Sequence, residues 1–350
     1  MSEANIQFIK EVLNIKINHY NGFLAENERI ISDYNNEIKT SNDYNNRQIL
    51  ELLQNAEDAK ATEVEIVLDK EQKKIVIRNN GEQFISKGIA SLMISDNSPK
   101  AKWENIGNKG LGFRSVITWC DKVVIKSSGC IISFSRDIAI PFFKSKRIEE
   151  LKKIESDTIT LDELLQKNIL INQAGLGWND EEIKEYNKSH HKGNNVYFPL
   201  FGMPQIDIMD SPSEWVSIEL YYKDNEKIEV QIEEQLSNKR LNEENLLFLR
   251  NIKKITVIGN NEPKKIIKSQ SPLFTKINDN CIYECVTINN INWNVLKDEG
   301  PYEHIFDDIP EVKTVNYSAM IAWKQGENKR EYPLYCYFPT DILAPLPFIM

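Results

Sequence analysis

The 350-residue chain lacks several features that mark membrane, secreted and nucleic-acid-binding proteins. No apolar run approaches the roughly 20 residues that a membrane-spanning helix needs. The first residues lack the basic and then apolar pattern of a secretory signal. The five cysteines are scattered and odd in number, which fits reduced thiols in a cytoplasm better than a disulfide framework. A net charge of -9 argues against a broad DNA-binding surface. We therefore expect a cytoplasmic protein with no membrane partner and no direct nucleic-acid binding.

Hydrophobic residues make up 41% of the chain and charged residues 27%, as in an ordinary globular protein, and the length suffices for two domains. The first forty residues predict helix, and the polar residues crowded between Ser32 and Asn46 predict a break. Alternating residues then predict an antiparallel hairpin from Val64–Leu68 and Lys74–Arg78. Later patterns predict a helix at Ile85–Met93, strands at Val123–Ile125, Ile131–Phe134 and Trp215–Tyr222, helices at Gln231–Leu236 and Glu244–Ile252, and mostly strands from Ile255 onward.

The most informative stretch runs from Arg47 to Ala59. Apolar residues recur there with helical spacing, and Glu51, Asn55 and Asp58 fall three and four residues apart, so that all three can share one helical face. Two carboxylates and an amide beside an apolar seam are costly to bury unless something binds them. A solvated outer face of an amphipathic helix is the alternative that this stretch alone leaves open.

Two further motifs follow in order. Asn79-Asn80-Gly81 ends the second predicted strand, and a loop carries Gly107, Gly110 and Gly112. Glycine-rich loops before a helix let backbone N–H groups approach phosphates. Asn55 offers a hard oxygen suited to Mg²⁺, and Glu51, one turn earlier, could deprotonate a water that attacks a γ-phosphate. Together the three motifs predict a nucleotide-hydrolysing site.

With these residues the sequence resembles the GHKL ATPases, the superfamily of gyrase, the heat-shock chaperone, histidine kinases and the mismatch-repair ATPase. Glu51 through Ala59 match the family's N-box, and Gly107 through Phe113 match its glycine box. Within the superfamily the likeness is to sacsin-like, heat-shock-chaperone-type proteins. It is carried by five segments: Tyr44–Arg47, Lys109–Val116, Leu246–Arg250, Tyr337–Thr340 and Leu346–Phe348.

The resemblance implies an α+β Bergerat fold, in which helices cover a mixed, mostly antiparallel sheet. It implies an ATPase domain over residues 1–254 and a β-rich, transducer-like domain over residues 255–350. The last residues, Leu343 to Met350, are apolar, and in the family the chain continues after such a Leu-Pro-Phe. We therefore expect a longer protein, with a C-terminal effector region or partner beyond this chain.

The resemblance also implies ATP and Mg²⁺ as ligands, and a role for each site residue. Glu51 would be the general base, Asn55 the Mg²⁺ ligand, and Asp58 a residue lining the nucleotide pocket. Ser217 would lie behind the adenine. The phosphate end would consist of a lid from Ser98 to Ile106 with Lys100 at its edge, the charge partner Lys109, and backbone N–H groups of Gly110, Leu111, Gly112 and Phe113.

The chain departs from the family at its middle motif, Asp-x-Gly-x-Gly. Asn79 stands at the aspartate position, Gly81 is kept, and Gln83 replaces the second glycine. An asparagine carbonyl can still accept a hydrogen bond from the adenine amino group, but a neutral bond is roughly half as strong as a charge-assisted one. The residues expected at the catalytic end of the site are all present. Asn79 and Gln83, at the adenine end, predict weaker or water-mediated recognition of adenine.

The favoured hypothesis is a slow ATPase that acts as a conformational switch. ATP would close a lid and pair two copies, and a cation from the second domain, with Lys324 as one guess, would sense the γ-phosphate. The richness in Asn, Lys and Ile suggests an AT-rich bacterial genome. The resemblance to sacsin-like ATPases, which in bacteria often sit in multi-domain defence proteins, then implies a role in antiviral defence or a chaperone-like role. The alternative is a nucleotide sensor or scaffold with little turnover. A histidine kinase fits poorly, because the upstream His19 lacks an acidic flank.

Overall fold

The computed structural model describes residues 1–43, 46–93, 112–151, 153–154, 158–190, 196–259, 263–306, 309–324, 332–336, 338–346 and 348–350. Their helices are α1 Glu3–Ala25, α2 Glu28–Asp43, α3 Gln48–Asp58, α4 Ser86–Met93, α5 Ala139–Lys144, α6 Leu161–Asn172, α7 Asp180–His190 and α8 Glu226–Leu236. Their strands are β1 Glu63–Asp69, β2 Lys74–Asn79, β3 Cys120–Ser127, β4 Cys130–Ser135, β5 Gln205–Ile208, β6 Val216–Tyr222, β7 Lys254–Ile258, β8 Lys264–Lys276, β9 Cys281–Ile288, β10 Ile291–Phe306, β11 Ile309–Lys324, β12 Tyr332–Cys336 and β13 Phe338–Ala344. Short 3₁₀ segments lie at Gly112–Thr118, Arg136–Ile138 and Glu243–Leu246.

The chain divides into two compact units. Unit 1 holds Met1–Glu233 and Ile258–Glu262, and unit 2 holds Glu234–Val257 and Pro263–Met350. The predicted domain limits, 1–254 and 255–350, stay a prediction. Among the described residues, no helix is long and apolar enough to cross a membrane.

The sheet of unit 1 has the strand order β1-β2-β6-β3-β4-β5, and each neighbouring pair is antiparallel. In such a sheet, residues directly opposite one another place their side chains on the same face. Val64 and Ile66 of β1 stand opposite Asn79 and Ile77 of β2, and all four are buried. The same strands turn Glu65 and Arg78 to the other face, where Arg78 is exposed. The predicted α+β class and the predicted β1–β2 hairpin are confirmed.

The helices of unit 1 bury the apolar stripes that their sequences predict. In α3 the side chains of Ile49, Leu52, Leu53 and Ala56 are at most 2% exposed. A separate apolar cluster contains aromatic rings from α1, α5 and α7. In it Phe143 stacks on Trp178, with 4.8 Å between the ring centroids. Burial of these side chains, at about 1.5–3 kcal/mol for each large one, stabilises the layer of helices.

The predicted break from Ser32 to Asn46 is wrong, because α2 continues from Glu28 to Asp43. The reason is tertiary. Glu37 is fully buried, and its two carboxylate oxygens accept the backbone N–H groups of Leu200 at 2.7 Å and Phe201 at 2.8 Å. Ile30 of the same helix is also fully buried. A helix that looks polar in sequence is thus held by a partner more than 160 residues away.

The predicted helix from Glu244 to Ile252 is also wrong, because only the 3₁₀ turn Glu243–Leu246 forms there. The Lys268 ammonium donates to the carbonyl oxygens of Leu246 and Leu247 at 3.0 Å and of Leu249 at 2.8 Å. These carbonyls therefore bind a side chain instead of the backbone N–H groups of a helical turn.

Unit 2 is rich in strands, as predicted for the region after Ile255. Its larger sheet has the order β11-β10-β9-β8-β7, and β12 pairs with β13. Lys324, the guessed γ-phosphate sensor, stands opposite Trp293 in the β10–β11 register, with its ammonium 4.5 Å from the centroid of the Trp293 ring. The role of Lys324 stays a prediction.

Replacing Glu37 by Gln should lower the free energy of unfolding of the protein by about 1–3 kcal/mol. Glutamine keeps one acceptor oxygen, but its NH₂ group meets the second backbone N–H, which loses its partner. The control is Glu28→Gln, the same change at an exposed position in the first turn of α2, where we expect a loss below about 1 kcal/mol. Urea unfolding followed by circular dichroism measures both. Equal losses for the two variants would contradict this role of Glu37.

Candidate functional site

The candidate site is built around α3, whose first turn is tied to a distant segment. The Arg47 side chain makes no capping hydrogen bond at the helix start. Instead the buried Gln48 donates from Nε2 to Oγ1 of Thr118 at 2.9 Å. Thr118 ends the 3₁₀ segment that begins at Gly112. Helix α3 and the end of the glycine box are thus held together by a side chain of each.

The same two segments meet at Glu51. A β-carbon placed on Gly112 would lie 2.7 Å from the carboxyl carbon of Glu51 and closer still to its Oε2 oxygen. The Glu51 carboxylate therefore lies directly against the Cα of Gly112, and a side chain at position 112 would force this carboxylate to move. Burial raises the pKa of the half-buried Glu51, and the neighbouring Arg47 partly offsets that rise. A carboxylate with a raised pKa is a stronger base than an ordinary glutamate.

Asn55 and Asp58 follow Glu51 on α3, and both are half-buried. Their spacing of four and then three residues keeps them on the Glu51 side of the helix. Amide and carboxylate oxygens are the ligands that Mg²⁺ accepts, and a Mg²⁺ site needs few of them when phosphates are present. The donor chemistry of this face therefore fits Mg²⁺ together with a phosphate. Among the described residues, no group of three or more His, Cys, Asp and Glu side chains is arranged to hold a metal ion.

The end of β2 is packed against the other end of α3. A β-carbon on Gly81 would lie 2.5 Å from the carbonyl oxygen of Ala59 and 2.9 Å from the nitrogen of Ala61. Asn79 is 5% exposed, and its Oδ1 accepts the backbone N–H of Gly81 at 3.0 Å. The tertiary structure thus brings the second motif to the helix end that carries Asp58.

Gln83, which replaces the family's second glycine, uses both ends of its amide. Its Nε2 donates to the carbonyl oxygen of Glu214 at 2.7 Å. Its Oε1 accepts from the Ser127 hydroxyl and from the Ser128 backbone N–H, each at 2.8 Å. The residue therefore joins three segments of the chain. Nothing in the local sequence of Gln83 indicates this role, because all three partners are distant.

Ser217 does not lie beside Asn79, which corrects the expectation that it stands behind the adenine. In the β2–β6 register Asn79 stands opposite Val216, whereas Ser217 stands opposite Arg78. Because side chains alternate between the faces of a sheet, Ser217 lies on the face opposite to Asn79. There it lines a groove of about 450 Å³ with Arg78 and Trp215 among its walls. On the Asn79 face the neighbouring side chain is the buried, apolar Val216.

Several predicted site residues lie outside the described residues: Lys100, Lys109, Gly110, Leu111, Gly107, and the whole predicted lid from Ser98 to Ile106. Their roles stay predictions. Of the glycine box and the residue after it, Gly112 and Phe113 are described, and Phe113 is buried with its ring 5.9 Å from that of Phe201.

Arg114 is a buried residue that the sequence analysis did not single out. It is 2% exposed, and its Nη2 donates to the carbonyl oxygen of Leu92 at 2.7 Å. A long cationic side chain inside the apolar run from Phe113 to Ile117 is the only sequence signal that could have marked it.

Comparison with known proteins gives one family. The profile described as the Sacsin domain matches residues 38–271, which is more than half of the chain. Among solved structures, the ATPase region of Saccharomyces cerevisiae topoisomerase II has 11% identity and a TM-score of 0.32 over 73% of this chain and 58% of that one. The N-terminal domain of a DNA repair protein has 12% identity and a TM-score of 0.33 over 72% of this chain and 70% of that one. The chain thus spans little more than half of the yeast structure. No curated protein matches it.

The packing of Gly81 predicts that Gly81→Ala lowers the free energy of unfolding by about 1–3 kcal/mol, because the new methyl group meets backbone atoms that cannot move alone. Gly88→Ala is the matched control. Its methyl group would meet Phe84 at an ordinary 3.6 Å, within helix α4, and should raise the stability by about 0.5–1 kcal/mol. Thermal unfolding measures both. A stabilising Gly81→Ala would contradict the close approach.

Proposed function

The chain belongs to the sacsin domain family, and on that premise we propose that it is a GHKL-type module that binds ATP, hydrolyses it slowly and switches conformation with the bound nucleotide. One observation carries the proposal. The N-box carboxylate of Glu51 and the last glycine of the glycine box, which are far apart in sequence, lie in direct contact. A base placed against a phosphate-binding loop is the arrangement that nucleotide hydrolysis needs.

In this proposal Glu51 takes a proton from a water molecule as that water attacks the γ-phosphorus of ATP. The O–P bond to the β-phosphate breaks, and ADP leaves with the electron pair of that bond. Burial raises the pKa of Glu51, so its carboxylate accepts the proton more readily than an exposed glutamate does. The half-buried position also keeps the carboxylate from being fully hydrated.

Mg²⁺ would be held by Asn55, with Asp58 close by, and when bound it would neutralise charge on the phosphate oxygens. The half-buried amide and carboxylate on the Glu51 side of α3 support this assignment. The backbone N–H groups of Gly110, Leu111, Gly112 and Phe113, with Lys109 and Lys100, would hold the phosphates.

Asn79 would meet the adenine amino group with its carbonyl oxygen, which already accepts the N–H of Gly81. A carbonyl oxygen has two lone pairs, so a second hydrogen bond is open to it. This neutral acceptor supports the second candidate function, a nucleotide sensor or scaffold with little turnover. The two candidates share the binding site and differ in the rate of hydrolysis.

As a switch, the module would pair with a second copy when ATP is bound and pass the change to a C-terminal effector region or a partner protein. A cytoplasmic role in antiviral defence or as a chaperone-like machine belongs to this proposal.

The variant Glu51→Gln tests the hydrolysis step. Loss of the base should lower kcat by about 10²–10⁴-fold and leave the Kd for MgATP within a few-fold of wild type. The acid limb of the wild-type pH–rate profile should lie above the usual range of a glutamate, because a raised pKa means that the base is still protonated there. Phosphate release measures the rate and calorimetry measures the Kd. Light scattering of the Glu51→Gln variant in the presence of MgATP then measures whether two copies of the chain pair.

The matched control is Glu65→Gln, the same change on the opposite face of the sheet, where Glu65 pairs with Arg78 at 3.4 Å. It should leave kcat and Kd unchanged. If wild type and Glu51→Gln bind MgATP and release phosphate at the same background rate, the sensor is the better description. If neither binds, both candidates fail.

The variant Asn79→Asp tests the adenine end. A carboxylate would make a charge-assisted hydrogen bond to the adenine amino group, and the Kd for ATP should fall by about tenfold. Asn80→Asp is the adjacent control, because Asn80 holds the backbone N–H groups of Thr62 and Glu63, each at 2.9 Å, and should give no gain in affinity. Equal changes in the two variants, measured by calorimetry, would remove Asn79 from the adenine site.

A further inference from the structure

The side chain of the buried Arg114 binds the last turn of α4. Its Nη2 donates to the carbonyl oxygens of Leu92 at 2.7 Å and Ser91 at 3.4 Å. Both carbonyls lie in the last turn of α4 that the structure describes, where a cation interacts favourably with the helix dipole. The Arg114 guanidinium therefore donates hydrogen bonds to these carbonyl oxygens and also interacts favourably with the helix dipole. Both interactions hold the guanidinium in one position.

The same guanidinium is held from a second side. It lies over the ring of Phe201, with 5.9 Å between its central carbon and the ring centroid. The backbone N–H of Phe201 is bound by the buried carboxylate of Glu37. Burial raises the pKa of Glu37, whereas the nearby charges of Arg136 and Arg114 act to lower it. Arg114 thus belongs to a buried cluster in which its charge is compensated.

The backbone of Arg114 lies two residues from Gly112 in the 3₁₀ segment Gly112–Thr118. The far end of this segment is fixed to α3 by the hydrogen bond between Gln48 and Thr118. Its near end, Gly112, lies against the Glu51 carboxylate. Arg114 therefore ties this end of the segment to α4.

We propose that Arg114 is a positioning residue, which holds the Gly112 end of the 3₁₀ segment against Glu51 and so keeps the Glu51 carboxylate partly shielded from water. The proposal rests on the proposed function only in that it gives Glu51 the role of base. Arg114 acts through the position of the segment and not through its charge on Glu51. In the part of the chain that the structure describes, the cation that acts on the Glu51 carboxyl group is Arg47, just before α3. Arg114 is the charged residue of the segment Gly112–Thr118, and its guanidinium binds α4.

These two modes of action predict opposite changes in the pKa of Glu51 when Arg114 is removed. If the charge of Arg114 stabilised the Glu51 carboxylate, its removal would raise the pKa of Glu51. If Arg114 holds Gly112 in place, its removal lets water reach the carboxylate, and the pKa falls toward the ordinary value of a glutamate.

The experiment titrates Glu51 in the ligand-free protein by NMR of ¹³C-labelled glutamate carboxyl groups, with the Glu51 signal assigned by its loss in Glu51→Gln. In Arg114→Met we expect the pKa of Glu51 to fall toward the ordinary value of a glutamate. Arg114→Lys keeps the charge and one donor but loses the planar fork, so it should give a smaller fall and also covers the case in which the methionine variant does not fold. Where hydrolysis is measured, kcat should fall by about tenfold with little change in the KM for ATP.

Lys16→Met is the matched control, since Lys16 is another buried basic residue of unit 1, and its Nζ donates to Oδ1 of Asn172 in α6 at 3.2 Å. It should leave the pKa of Glu51 unchanged. A Glu51 pKa that stays constant or rises in both Arg114 variants, or falls equally in Lys16→Met, overturns the proposal. A fall confined to the Arg114 variants supports it even if the wild-type protein does not hydrolyse ATP, in which case the proposed function alone fails.

Discussion

The contact between the Glu51 carboxylate and the Cα of Gly112 is the constraint on which the candidate site depends. A side chain at position 112 would displace this carboxylate, and the contact holds only while α3 and the segment after the glycine box keep their distance. Gln48 and Thr118 hold that distance at one end of the segment. Burial raises the pKa of the Glu51 carboxyl group, which suits the role of base that we propose for it.

The C-terminal end of α3 is also held in place, but by neutral groups. Gly81 packs against the backbone of Ala59, and Asn79 accepts the Gly81 N–H. Gln83 then joins this turn to the β3–β4 connection and to the start of β6. Two side-chain amides thus stand where the family's motif has a carboxylate and a second glycine. In the proposed pocket the catalytic group is a carboxylate, whereas the group assigned to the adenine is a neutral amide.

The local period of apolar residues predicted α3 and the β1–β2 hairpin correctly. The α+β class was predicted by the resemblance to the family, and it is also correct. Local patterns failed for α2 and for the stretch from Glu244 to Ile252, where the deciding partners are distant. Glu37 is polar, yet two backbone N–H groups and a neighbouring arginine allow its burial. The Lys268 ammonium donates to three carbonyl oxygens that in a helix would accept backbone N–H groups. Ser217 was misplaced by one residue of register, which in a strand changes the face.

By itself the sequence determined the chemistry of the site: a carboxylate, an amide and a second carboxylate on one helical face, and glycines where backbone must come close. It also determined the family, since the motifs that carry the resemblance are read along the chain. Only the tertiary structure decided that Glu51 and Gly112 touch, that Asn79 has Val216 and not Ser217 beside it, and that Arg114 is bound to the end of α4. Those facts depend on register and on contacts between distant segments, and no local pattern of residues encodes them.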